Sequence, residues 1–212
     1  RVVLAICLLF ILLIFAVIFS LLSGNLDLSV GDVIAVILYK FFNIGQIDAA
    51  NEIVVWNLRF PRILMAILAG FALAGAGAIY QSIFRNPLVE PFILGASSGA
   101  SFGASLAILL PTIFISLELS AFGFSLLAVF VAYILAFNRN ITNSVSLVLS
   151  GVIVGSIFSS LVGIMKYISE DTQLREITFW MMGGLYHTSW HDIFINAIFG
   201  LPCFILAILF AW

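Results

Sequence analysis

The chain has 212 residues, of which 64% are hydrophobic and only 8% charged, with a formal net charge of −2. A water-soluble fold of this size must cover its outside with polar groups, so this composition excludes one and makes lipid the solvent. The small acidic balance, with no cluster of basic residues, excludes a nucleic-acid partner.

The first apolar run, Val2–Leu22, is too long for the apolar core of a signal peptide and lacks a small-x-small cleavage site, so it predicts a first membrane helix. The segment Ser29–Phe42 is too short to span. Its Ser29 and Asp32, a serine with an acid three residues on, suit a helix start and predict a short helix at the surface. Crossing about 30 Å of hydrocarbon takes about 20 apolar residues. Runs of that order follow at Pro61–Phe84, Phe92–Leu110, Leu117–Phe137, Val145–Tyr167 and Ile193–Trp212, which with the first makes six spans. Asn138–Asn143 is a polar turn between the fourth and fifth. Ser169–Trp190 mixes charge with the apolar stretch Ile177–Leu185, expected to be a short helix dipping into the membrane region. The fold class expected is all-α: one polytopic transmembrane helical bundle over residues 1–212. Cys7 and Cys203 lie inside apolar runs and read as small hydrophobes, not as a disulfide or a metal pair.

Small residues recur every fourth position in three of these runs. Ala66, Gly70, Ala74 and Ala78 form one stripe, Gly95, Gly99 and Gly103 a second, and Gly151, Gly155, Ser159 and Gly163 a third. That spacing lets helix backbones approach closely, which is how membrane helices associate. The third stripe also carries Ser150, Ser156 and Ser160, so it could equally line a wide pathway.

Arg59 and Arg62 stand three apart on one face of a helix start. They either snorkel to the membrane interface or form a cationic socket for a carboxylate-bearing partner, since arginine presents a planar fork to carboxylates. Gly95-Ala96-Ser97-Ser98-Gly99 matches the G-x-S-x-G hydrolase pattern, but that pattern needs a strand-to-helix elbow, and here it opens a membrane helix. His187 and His191 have metal-compatible spacing, yet Asp192 cannot readily share their face. They are read as interfacial residues beside the anchor Trp190, and no metal site is expected. Glu90 and Glu118 fall at a turn and a span end, which leaves no buried carboxylate placed for a proton-driven carrier. Neither Lys40 nor Lys166 follows the glycine-rich run of a P-loop. Energy for uphill transport would come from another subunit.

The ordered series Arg59-Phe60-Pro61-Arg62, small-residue helix, Gln81 to Pro91 with Asn86-Pro87-Leu88, and Leu94-Gly95 with Gly99-Ala100 resembles the FecCD-type permease subunits of ABC importers for iron-siderophores, haem and cobalamin. Leu147–Gly151 and Phe179–Leu185 extend the resemblance. It implies a ten-helix permease in the plasma (inner) membrane of a bacterium or archaeon, of which this chain would be the N-terminal part. It also implies a homodimer with a second permease copy, two cytoplasmic ABC ATPase subunits and an extracytoplasmic substrate-binding protein. No cofactor and no catalysis by the chain itself are implied. Arg59 and Arg62 would dock the binding protein. Asn143 and Ser144 resemble the inner gate, and Gly151, Gly155, Ser159 and Gly163 lie on an element flanking the pathway. Lysine and arginine do not support the implied orientation with Arg1 cytoplasmic: that side would hold Arg1, Arg85 and Arg139 against Lys40, Arg59, Arg62, Lys166 and Arg175. The alternatives are an ion- or proton-coupled secondary transporter and, behind it, an intramembrane serine hydrolase.

Overall fold

The computed structural model describes residues 1–24, 26, 28–113, 116–137 and 144–210. They form an all-α protein that divides into two compact units, residues 1–72 with 185–212, and residues 73–184. Among the described residues, five helical stretches are long and apolar enough to cross a membrane: Val2–Leu22, Ala49–Phe84, Leu117–Ala136, Ser144–Ile168 and Trp190–Ala207.

In the first unit, α1 (Val2–Leu22) is apolar on every side and buries only Leu21. Helix α2 (Val30–Phe42) starts at the expected serine. The Ser29 hydroxyl accepts from Asp32 N–H at 3.2 Å, and Asp32 Oδ2 accepts from Ser29 N–H at 2.9 Å, a reciprocal cap. Its last turn carries Lys40, and Asn43 closes it in the left-handed conformation. Val33 and Val36 face inward to meet Leu21, Leu28 and Val55.

The next span begins irregularly. A single turn, α3 (Ala49–Glu52), runs into a π-helical segment, Ile53–Arg59, and then into α4 (Phe60–Phe84). Pro61 explains the wide turn. It has no N–H for the Asn57 carbonyl, and in an α-helix its ring would press on that carbonyl. The wider turn relieves the crowding, and Phe60 N–H reaches back five residues to Val55 O. Trp56 lies at the centre of an aromatic group, with ring centroids 5.4 Å from Phe60, 5.7 Å from Phe41 and 4.9 Å from Trp190. Trp190 opens α9 (Trp190–Phe210) and donates Nε1–H to Trp56 O at 3.0 Å, so this residue is fixed by a packed cluster.

The second unit takes over α4 at Leu73. Arg85, left-handed at φ 49°, ends the helix, and Asn86 Oδ1 accepts from Leu88 N–H across the Pro87 turn. Helix α5 (Ala96–Leu109) has 14 residues, about 21 Å at 1.5 Å per residue. The run Phe92–Leu110, expected to span, is therefore shorter as a helix than the hydrocarbon is thick. Its first residues are held in turns, with Ile93 N–H on Glu90 O and Gly95 N–H on Phe92 O.

Close backbone approach joins the rest of this unit. A Cβ on Gly99 would lie 2.5 Å from the Phe124 carbonyl oxygen, and one on Gly103 would collide with the Ser120 carbonyl. Both carbonyls belong to α6 (Leu117–Ala136), whose Ala128, Ala132 and Ala136 are buried at every fourth position. Phe102, Phe124 and Phe158 interlock beside them, edge to face at 5.1 Å for the first pair. The third partner is α7 (Ser144–Ile168). Helix α8 (Asp171–Met182) begins earlier than the apolar stretch Ile177–Leu185 suggests and ends before it does. Glu170 and Gln173 cap its start reciprocally, and Gly183 at φ 73° ends it.

The α2 cap carries a pH signature. Hydrogen bonds from the Ser29 hydroxyl and then its N–H hold the Asp32 carboxyl below its ordinary value of 3.8. A lowered carboxylate contributes its stability fully above the ordinary value and loses it as pH falls through the lowered one. Ser29→Ala is expected to destabilise α2 by about 1 kcal/mol at neutral pH. Asp32→Asn should remove this cap's share of the acid-limb dependence and leave that of the matching Ser189–Asp192 cap, read by thermal unfolding in detergent from about pH 6 to about pH 2.

Candidate functional site

Two sets of residues stand out, each within one unit. In the first unit, α1, the loop after it and the start of α4 border a cleft of about 1050 Å³. Leu13, Val17, Ile63, Ile67 and Phe71 supply apolar walls, and Arg59 and Arg62 are the charged residues among its lining. Arg59 is half-buried. Its Nη1 donates to Leu21 O at 2.6 Å and its Nη2 to Leu26 O at 2.8 Å. The first of these carbonyls belongs to the last turn of α1, where helix carbonyls lack intrahelical partners and a cation is favourable. Arg62 donates from Nη2 to Tyr186 O at 2.9 Å, while its Nε is buried with no partner among the described residues.

The second set lies on α7. Gly151 is buried, and a Cβ there would collide with the Ile93 carbonyl and lie 2.8 Å from Leu94 Cα. Gly155 meets the same turn at ordinary contact distance, 3.6 Å from Gly95 Cα, and Gly95 takes φ 80° there. The Ser159 hydroxyl donates to Ser98 Oγ at 3.2 Å. Gly163, one turn further on, is exposed with nothing within 4 Å of a Cβ. Ser156 and Ser160 are exposed too, their hydroxyls bonded back to Val152 O and Ser156 O. The stripe therefore changes character along the helix: packing at Gly151 and Gly155, open surface at Gly163. Ser144 is half-buried at the start of α7, and Asn143 lies outside the described residues.

The other stripes divide as well. Gly95, Gly99 and Gly103 are buried in helix contacts, whereas Ala66 and Gly70 face the cleft, with open space before Gly70. The hydrolase-like Gly95–Gly99 opens α5 after a series of turns, without the strand that a nucleophile elbow requires. His187 and His191 are both exposed. Asp192 is engaged as the cap of α9, accepting from Ser189 N–H and hydroxyl at 2.8 Å each. No group of three or more His, Cys, Asp or Glu side chains able to hold a metal ion occurs among the described residues. Two parts of the site went unread in the sequence: the anchoring of Arg59 on α1, and Gly24 beside it, where a Cβ would lie 2.5 Å from Arg59 Nη2. Their sole sequence signal was a glycine placed just after an apolar run.

A family model described as the FecCD transport family matches residues 12–212. The chain belongs to that family. Among curated relatives, a molybdate import system permease protein, MolB of Haemophilus influenzae, is 35% identical over 204 residues, covering 95% of this chain and 60% of its own length. The hemin transport system permease protein HmuU of Yersinia pestis is 34% identical over 163 residues, with 73% and 48% covered. A vitamin B12 import system permease protein, BtuC of Serratia proteamaculans, is 39% identical over 148 residues, with 68% and 43% covered. The chain thus spans between 43% and 60% of these relatives. A solved inward-facing structure of a transporter assigned to the metal-chelate ABC type superposes with a TM-score of 0.72 at 33% identity, covering 93% of this chain and 57% of that one.

The two ends of the α7 stripe should respond differently to added bulk. Gly151→Ala is expected to destabilise the protein by about 1–3 kcal/mol through overpacking against Ile93 and Leu94. Gly163→Ala should stay within about 0.5 kcal/mol of the parent. Thermal unfolding in detergent checks both.

Proposed function

We propose that this chain forms part of the membrane-embedded permease of an ABC importer, a single permease domain over residues 1–212. Its ligand class is a metal chelate, haem, a corrinoid or a small oxyanion, as relatives named for hemin, vitamin B12 and molybdate suggest. The observation that carries this reading is the joint match in sequence and fold: 33% identity and a TM-score of 0.72 over 93% of the chain with one ABC transporter. The setting is the plasma membrane of a bacterium or archaeon, which the five apolar helices support by length and composition. The working assembly pairs two copies, two cytoplasmic ATPases and an extracytoplasmic binding protein.

In this assembly the chain performs no covalent chemistry. Binding-protein docking and ATP-driven closure of the ATPases favour different arrangements of the bundle, and each partner biases the arrangement it binds better. The arginine pair at the start of α4 receives the binding protein. Arginine has five N–H donors; Arg59 spends two on carbonyls and Arg62 one, so each keeps unbonded donors that could serve a carboxylate. Asn143 and Ser144 act at the inner gate. On α7, Gly151 and Gly155 pack the helix against the turn at Ile93–Gly95, and the open end of the stripe at Ser159 and Gly163 borders the pathway. Small, self-satisfied residues such as Ser156 and Ser160 pass a bulky solute without gripping it.

Gentle purification of the complete native gene product from its own membranes is expected to bring down a P-loop ATPase in stoichiometric amount, identified by mass spectrometry. A preparation that transports its solute with no ATPase attached would overturn the proposal.

A further inference from the structure

Pro61 leaves a gap in the hydrogen bonding of its own helix, and another helix fills it. In an α-helix the Trp56 carbonyl would accept Phe60 N–H, four residues on. Here Phe60 N–H is on Val55 O, because Ile53–Arg59 is π-helical. The next donor in a π-helical register would come from position 61, five residues on, and a proline has none. Trp56 O is therefore passed over by the ladder it belongs to. Trp190 supplies the donor instead, with Nε1–H on Trp56 O at 3.0 Å from the first turn of α9. Its indole is held in place from both sides. The ring centroid lies 4.9 Å from that of Trp56 and 5.9 Å from that of Phe60, and the start of α9 is fixed by the bonds from Ser189 to Asp192.

The Trp56 carbonyl thus has two donors within reach, and they belong to two registers. With the indole in place the turn is π-helical. With the indole withdrawn, Phe60 N–H can return from Val55 O to Trp56 O, the α-helical pairing, which leaves Val55 O to Arg59 N–H. One hydrogen bond replaces another, so the register is conditional on the position of α9. The exchange also moves the chain. Taking the extra residue out of a wide turn rotates the segment before it by about 100° and shifts it about 1.5 Å along the axis. That segment carries Val55, buried in one cluster with Val33 and Val36 of α2, and Glu52, which is paired with Lys40 of α2. Helix α2 would be carried with it.

We infer that Trp190 is a latch on the register of α4: its indole N–H stands in for the N–H that Pro61 lacks, and its withdrawal during transport returns the turn to α-helix and swings α2. Trp190 is a positioning residue, acting through the backbone of α4. The inference rests on the proposed importer for what moves α9, and on the geometry alone for the bond.

The full-length permease in nanodiscs, with its co-purified ATPase, tests both parts. A double-mutant cycle reads the bond. Trp190→Phe keeps an aromatic ring in the stack and removes the donor, so it should lower the unfolding midpoint by about 2–4 °C. In Pro61→Ala, position 61 regains an N–H for Trp56 O, and there the same substitution should lower the midpoint by less than about 1 °C. Equal losses in the two backgrounds overturn the inference, because ring packing alone would then account for Trp190. The latch is read on the parent chain with 15N-labelled tryptophan, the Trp190 indole signal being assigned by its loss in Trp190→Phe. Trapping the complex with ATP and vanadate should speed hydrogen exchange at that indole at least about tenfold over the nucleotide-free state. Equally slow exchange in both states overturns the latch and makes the bond a static brace. If no ATPase accompanies the permease, the importer reading fails by itself, and the mutant cycle still decides whether the indole and the proline are coupled.

Discussion

Close approach of backbones at glycine is the constraint on which the second unit depends. Among lipid tails, apolar side chains gain nothing by leaving one apolar neighbour for another, so helices associate through packing and polar contacts. Gly99 and Gly103 bring α5 against the carbonyls of Phe124 and Ser120, and Gly151 brings α7 against the Ile93 carbonyl. The turn at Gly95 can then run directly over Gly155, and the phenylalanines of α5, α6 and α7 interlock beside it. A methyl group at any of the three tight glycines would have to push on backbone, which yields far less readily than the tip of a side chain.

The first unit solves the other half of the membrane problem, the unsatisfied polar groups at helix ends. Ser29 with Asp32 and Ser189 with Asp192 close the starts of α2 and α9. Arg59 serves the last turn of α1. The π-helical turn before Pro61 ends at Arg59, so the device that accommodates the proline also sets where that guanidinium is delivered. Local backbone chemistry and the candidate docking site are in this way one piece of structure.

Much of this was legible in the sequence, for physical reasons that differ by element. Long apolar runs mark spans because length and composition alone decide them, and Ser29 marks a helix start because the cap is local. Phe92–Leu110 misled because an apolar run does not say whether its first residues are helical; here Pro91 and Gly95 bracket turns. The extent of α8 was set by Glu170, Gln173 and Gly183, a stronger signal than the hydrophobic stretch inside it. Spacing by four located the small-residue stripes, but packing and open surface share that spacing. Only neighbours distinguish Gly151 from Gly163, or Gly103 from Gly70. The unequal surroundings of Arg59 and Arg62 were invisible for the same reason, since both depend on carbonyls distant in the chain.

The proposed importer and a secondary carrier differ in where the energy enters. A carrier would need an ionisable group at depth, whereas Glu90 lies exposed in a turn and Glu118 exposed in the first turn of α6. The most direct test is uptake of radiolabelled chelate by proteoliposomes that hold the full-length permease and its co-purified partners, with ionophores abolishing every ion gradient. Uptake that requires internal or external ATP and persists without gradients is the result expected. Uptake that proceeds without ATP and collapses with the gradients would contradict the account.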